Sequence, residues 1–92
     1  MSTLPAQQQD LEEETATQDP AKVILFNDDV HTFEEVTGQL IKALRCGTEK
    51  AEALTWEVHN NRKAVVYTGE LSRCMEVSGI LQEIELMTQI EV

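Results

Sequence analysis

The side chains able to do chemistry gather at two places in this sequence. One is the run Asn27-Asp28-Asp29, with His31 close behind; the other is His59. General acid–base catalysis needs two titrating groups with separated pKa values, and covalent catalysis needs a nucleophile beside a base. Asp28, Asp29 and His59 can be drawn as an acid–base set. No serine or cysteine nucleophile motif and no glycine-rich phosphate loop accompanies them. A metal centre built from Asp28, Asp29, His31 and His59, serving a small hydrolase, matches no familiar ligand spacing. A structural reading also stands. Asn and Asp turn a chain by hydrogen bonding to nearby backbone, and a histidine near a helix C-terminus suits the dipole there. No catalytic residue, metal or cofactor is therefore assigned.

Those residues need elements to position them. Val23 to Phe26 is a short, β-branched-rich run that reads as a strand ending at the Asn-Asp-Asp turn. Thr32 with Glu35 forms a capping box opening a helix. Phe33, Val36, Leu40, Ile41 and Leu44 give that helix one apolar face, and Gly47 is expected in its left-handed C-cap. Thr48 is expected to cap a second helix, with Ala51, Leu54, Thr55 and Val58 inward, His59 at the edge of that face, and Asn60-Asn61 at its end. Trp56 falls off the inward stripe, as peripheral core or as an exposed contact aromatic. Lys63 to Tyr67 reads as a strand. From Leu71 a third helix turns Cys74, Val77, Leu81 and Ile84 inward. Leu86, Thr88, Ile90 and Val92 then alternate as a last, half-buried strand. The order β-α-α-β-α-β predicts an α+β domain, with a three-stranded, mainly antiparallel sheet covered by three helices.

Length and charge limit what such a domain can do. The chain has 92 residues, which bounds it to one small domain. Residues 1–21 are polar and acidic with no apolar period. They are expected to form a disordered N-terminal extension, leaving 22–92 as the folded domain. Seven Lys and Arg against seventeen Asp and Glu give a net charge of −10. That argues against nucleic acid, whose phosphates are held by clustered Lys and Arg, and against an anionic membrane surface. No apolar run approaches the length needed to span a bilayer, and the N-terminus lacks a secretory pattern, so a cytoplasmic protein is expected. In that compartment Cys46 and Cys74 are free thiols, with Cys74 in the core. An acidic chain of this size is expected to be a monomer.

The stretch from Lys22 to Asp29 resembles the opening of the ClpS family, adaptors of the Clp protease that recognise N-degrons. The similarity continues through Glu34 and Val36, Glu49 to Ala51, and Val58-His59 with Lys63-Ala64 beyond. Asn27 and His59 stand 32 residues apart, the separation that family uses. The resemblance covers nearly all of 22–92. It implies that Asn27, Asp29 and His59 hold the free α-amino group of another protein's first residue, with Asp28 adding negative field. It implies a neighbouring pocket for a large first side chain, Leu, Phe, Tyr or Trp, lined by Leu25, His31, Phe33, Val36, Thr55, Val58 and Leu86. It also implies that Val30, Glu70 and Met75 lie toward the N-terminal domain of a Clp AAA+ unfoldase, ClpA or ClpC. The chemistry is consistent, because an ammonium offers three donors and no acceptor, and an amide oxygen, a carboxylate and an imidazole nitrogen can accept them.

The sequence departs from the family pattern at three points. Phe33 and Thr55 stand where Met is usual, and Thr55 is expected to leave the pocket roomier and more polar at depth. Val30-His31-Thr32 replaces Tyr-Thr-Pro. The segment 67–70 and the helix after it are shorter than usual. A domain that only docks on the unfoldase and modulates it, without reading N-termini, is the alternative reading.

Overall fold

The structure, a computed structural model, describes residues 19–92. The expected extension lies outside the described residues as far as residue 18. The elements run β1 (Ala21–Phe26), α1 (Phe33–Leu44), α2 (Thr48–Asn61), β2 (Lys63–Gly69), α3 (Leu71–Gln82) and β3 (Thr88–Glu91). The strands form one sheet in the order β2-β1-β3, antiparallel throughout. This is the expected β-α-α-β-α-β chain order with its three-stranded sheet.

The central strand carries the core. Val23 and Leu25 are fully buried, and Ala21 is nearly so, which brings it into the folded part. Leu25 pairs with Ala64 on one side and Thr88 on the other. Residues directly opposite in an antiparallel pair share a face, so Leu25 and Ala64 lie together under the helices. Between Val23 and Ile24 the β1–β2 register shifts, and Val66 is the extra residue. The bulge lets Val66, Ala64 and Tyr67 all meet the core cluster. Helix α3 lies against all three strands and α2 against β2, while α1 packs on both of those helices. Leu40, Ala43, Ala51, Cys74, Val77 and Leu81 are wholly buried between these layers.

The helix ends differ in part from their sequence signals. The Thr32–Glu35 capping box forms in full: Glu35 N–H donates to the Thr32 hydroxyl, and the Glu35 carboxylate accepts from Thr32 N–H. Helix α1, however, stops at Leu44, and Arg45 takes the left-handed C-cap at φ 57°. Gly47 instead precedes α2 in an extended conformation, with no side chain to cap it, and Thr48 is already helical. Burial of Ala51, Thr55 and Val58 fixes where α2 lies, and tertiary packing outweighs cap preference in setting helix limits. Arg45, Arg62 and Glu85 are the residues other than glycine with positive φ among those described; the first two cap α1 and α2, and Glu85 follows α3. Each takes the strain of a left-handed turn where the chain must reverse quickly.

Candidate functional site

Sheet pairing brings the two chemistry-bearing places together. Phe26, the last residue of β1, stands opposite Lys63, the first of β2. The ladder extends by one bond, from Asn27 N–H to the Arg62 carbonyl at 2.8 Å. Arg62 is the left-handed residue that turns α2 directly into β2. His59 lies three residues earlier, in the last turn of α2. A separation of 32 residues in sequence thus closes at one end of the sheet. On the other side, Phe26 N–H donates to the Met87 carbonyl at 3.0 Å, which ties Leu86 to the same corner.

These elements enclose a cavity of about 380 Å³. Asn27, Asp28, Asp29 and His31 line it from the loop, and Phe33 and Val36 from α1. Thr55, Val58 and His59 come from α2, and Leu86 from the segment before β3. Ten of the eleven residues expected at the α-amino site and pocket therefore meet in one hollow.

Leu25 is the exception, and its expected place in the wall is corrected. It is fully buried beneath the helices and does not line the cavity, because the central strand's inward face is closed by packing. Three lining residues were not expected: Phe26, Thr32 and Trp56. Trp56 sits three residues before His59 on one helix, a spacing that makes neighbours on a helix surface. That signal was available in the sequence. Phe26 adjoins Asn27 at the mouth of the turn.

The polar groups fall into two sets. Asp28 is fully engaged within the loop. One carboxylate oxygen accepts the backbone N–H groups of Val30 and His31, each at 2.9 Å, and the other faces His31 Nδ1 at 2.8 Å. The His31 Nε2 in turn meets the Ile84 carbonyl. Both ring nitrogens of His31 thus face acceptors, an arrangement only the doubly protonated ring satisfies. Its pKa is raised, chiefly by the Asp28 carboxylate and then by the Ile84 carbonyl. Partial burial pushes the Asp28 carboxyl up, but the hydrogen bonds from His31 and Val30 outweigh it, and the net pKa is lowered. The pair is close to neutral as a unit.

Asn27, Asp29 and His59 behave otherwise. Among the described residues none of their side chains makes a hydrogen bond or ion pair within the protein, although all three line the cavity. His59 stands in the last turn of α2, and Asn27 bonds through its backbone N–H to the residue capping that helix, where partial negative charge is left on the last carbonyls. Two carboxylates thus sit side by side, one neutralised and one open.

Thr55 departs from the expected polar depth. Its hydroxyl donates to the Ala51 carbonyl at 2.8 Å, so the 2.8 Å bond to Thr37 must be accepted from the Thr37 hydroxyl. The short side chain still leaves room, but its hydroxyl proton is engaged within the fold.

Val30, Glu70 and Met75 are all exposed, Val30 and Met75 strongly so. Glu70 precedes α3 without capping it through its side chain. Among the described residues, no group of three or more His, Cys, Asp or Glu is placed to hold a metal ion, and no helix is long and apolar enough to cross a membrane.

The fold is a small α+β layer, and its site is a cleft lined by polar side chains of the loop and α2 and by apolar side chains of both helices. Its likeness to known proteins is specific. The family model for the ATP-dependent Clp protease adaptor protein ClpS matches residues 16–89, so the chain belongs to the ClpS family. No curated protein matches the chain. Eighteen chains of solved structure do. One of them is Agrobacterium tumefaciens ClpS2 bound to L-phenylalaninamide, with a TM-score of 0.75 and 24% identity, covering 80% of this chain and 96% of that one. At that identity the match speaks to the fold alone.

Proposed function

We propose that the cavity receives the first residue of another polypeptide, and that the domain passes such chains to a Clp AAA+ unfoldase. In this reading Asn27, Asp29 and His59 take the α-ammonium. Val36, Thr55, Val58 and Leu86, with Phe33 at the rim, take a large hydrophobic side chain: Leu, Phe, Tyr or Trp. Asp28 and His31 hold the loop in shape. Val30, Glu70 and Met75 belong to the surface facing the unfoldase.

One observation carries the reading: three polar side chains with no partner among the described residues line a cavity whose remaining walls are mostly apolar. An amide oxygen, a carboxylate and an imidazole nitrogen supply acceptors for the three donors of an ammonium. Charge-assisted bonds of this kind are the stronger ones. An α-amino group has a pKa of about 7.7–8.0 and is mostly protonated at neutral pH, and a nearby carboxylate favours that form. Burying a large apolar side chain adds about 1.5–3 kcal/mol. Two such terms together let a shallow site on a small domain discriminate. The ligand of the Agrobacterium protein has the chemistry this reading requires: a free amine, an aromatic side chain and a neutral amide where a chain would continue.

Short peptides beginning with Phe or Leu, free and N-acetylated, test the proposal by titration calorimetry. Acetylation removes the charge and adds bulk, so only the free peptides should bind. Asn27→Ala and His59→Ala should each weaken binding while the domain remains folded. Equal affinity for free and acetylated peptides would refute the amine clasp.

A further inference from the structure

Trp56 is placed where the core does not need it. The buried stripe of α2 is Ala51, Thr55 and Val58, and Trp56 lies outside it with 53% of its surface exposed. An exposed tryptophan leaves a large apolar area in water, so what holds it is informative. Its ring packs on Phe33 at 4.8 Å between centroids, tilted by 50°, and on His59 at 6.0 Å, edge-on at 74°. All three residues line the cavity. His59, Trp56 and Phe33 therefore make a continuous row of rings along its wall, running from the end with the unpartnered polar groups to the start of α1. Phe26 adds a further ring to the lining, and the Lys63 ammonium lies 5.8 Å from that ring's centroid.

Aromatic pairs gain from tilted and edge-to-face contact beyond the area they bury, because ring faces are negative and ring edges positive. A flat aromatic side chain entering beside Trp56 and Phe33 can extend the row in the same geometry. A leucine side chain fills similar space but carries no quadrupole to extend it.

We propose that Trp56 is a specificity-determining residue of this site: with Phe33 it forms an aromatic wall that ranks Phe, Tyr and Trp above Leu as the first side chain. The proposal rests on the terminal-residue reading above and refines the ligand class within it. The expected preference is about two- to tenfold in Kd, the size of one added aromatic contact.

Calorimetry with matched peptides starting in Phe and in Leu tests it, using the full chain, Trp56→Leu and Trp56→Phe. The position is exposed and off the buried stripe, and circular dichroism confirms that the variants fold. The Phe-to-Leu preference should be present in the wild type, largely kept by Trp56→Phe and close to unity in Trp56→Leu. Trp56 is the single tryptophan of the chain, so its fluorescence should also change more with the Phe peptide than with the Leu peptide. An unmoved preference in Trp56→Leu, or an equal loss for both peptides, overturns the inference. N-acetylated Phe peptide separates the two readings. Loss of free-over-acetylated discrimination in the wild type defeats the amine clasp alone, and failure of the wild type to bind any peptide defeats both.

Discussion

The loop between β1 and α1 holds two adjacent carboxylates with opposite circumstances. Asp28 accepts two backbone N–H groups and faces a histidine ring, whereas Asp29, next to it, has no partner among the described residues. Asp28 and His31 close a circuit that reaches the Ile84 carbonyl, 53 residues on in the chain, and so fasten the loop to the turn after α3. Asn27 is fastened only through its backbone, to Arg62, which leaves its side chain open toward the cavity. The loop thus divides its labour: one set of polar groups fixes the shape, and the other is left for a ligand. Polar atoms left unpaired by folding are those that binding can use without breaking anything first.

Asp29→Ala is the sharpest way to break that comparison and carries the largest expected effect. Under the proposed function it removes a charge-assisted partner of the ammonium, worth about 1.5–3 kcal/mol, or roughly tenfold to a hundredfold in Kd. The urea midpoint should not move, since no contact within the described fold is lost. His31→Ala should do the reverse in kind. It removes the bonds to Asp28 and to the Ile84 carbonyl, for an expected loss of about 1–2 kcal/mol of stability. The midpoint then falls with the denaturant slope unchanged, and affinity drops only as far as the loop loosens. If Asp29→Ala destabilised the domain as much as His31→Ala, the division between the two carboxylates would be wrong.

This division also marks how far the sequence could be read. The elements were legible because apolar spacing and the Thr32–Glu35 box are local signals, and both formed as their residue types dictate. The cluster of Asn27, Asp29 and His59 was legible only through the family resemblance, since nothing local tells that the end of β1 pairs with the start of β2. The difference between Asp28 and Asp29 was not legible at all. Either carboxylate can make the turn, and the choice depends on His31 meeting a carbonyl far along the chain. Leu25 was placed in the wall by the family resemblance alone, and strand alternation could not test that, since it says which face a residue occupies but not whether that face opens on a cavity or on a helix. Gly47 and Thr48 were misread because caps are weak beside the packing of Ala51, Thr55 and Val58. Thr55 looked polar in sequence and is engaged in the fold, through a partner 18 residues away.

The smallest expected effect sharpens the comparison most, because it asks whether the His31 circuit is held by charge. His31 has a raised pKa, so its contribution to stability is fully present below the unfolded value near 6.5 and is lost as the pH rises through the folded value. Asp28 has a lowered pKa, so its contribution is present above 3.8 and is lost as the pH falls through the folded value. The circuit is intact between those limits. Glu35 also lies near enough to favour the charged ring, and its carboxylate is held by the Thr32 N–H. Once the pH has passed that raised His31 value, one ring nitrogen turns its lone pair toward an oxygen, either the Asp28 carboxylate or the Ile84 carbonyl, and the fastening weakens. Urea midpoints measured from slightly acidic to moderately alkaline pH should therefore decline in the wild type more than in His31→Ala. Stability is the right readout, because peptide affinity also changes when the ligand's own α-amino group titrates at about 7.7–8.0. Parallel curves would mean that the loop is held by the shape of the His31 ring and not by its charge.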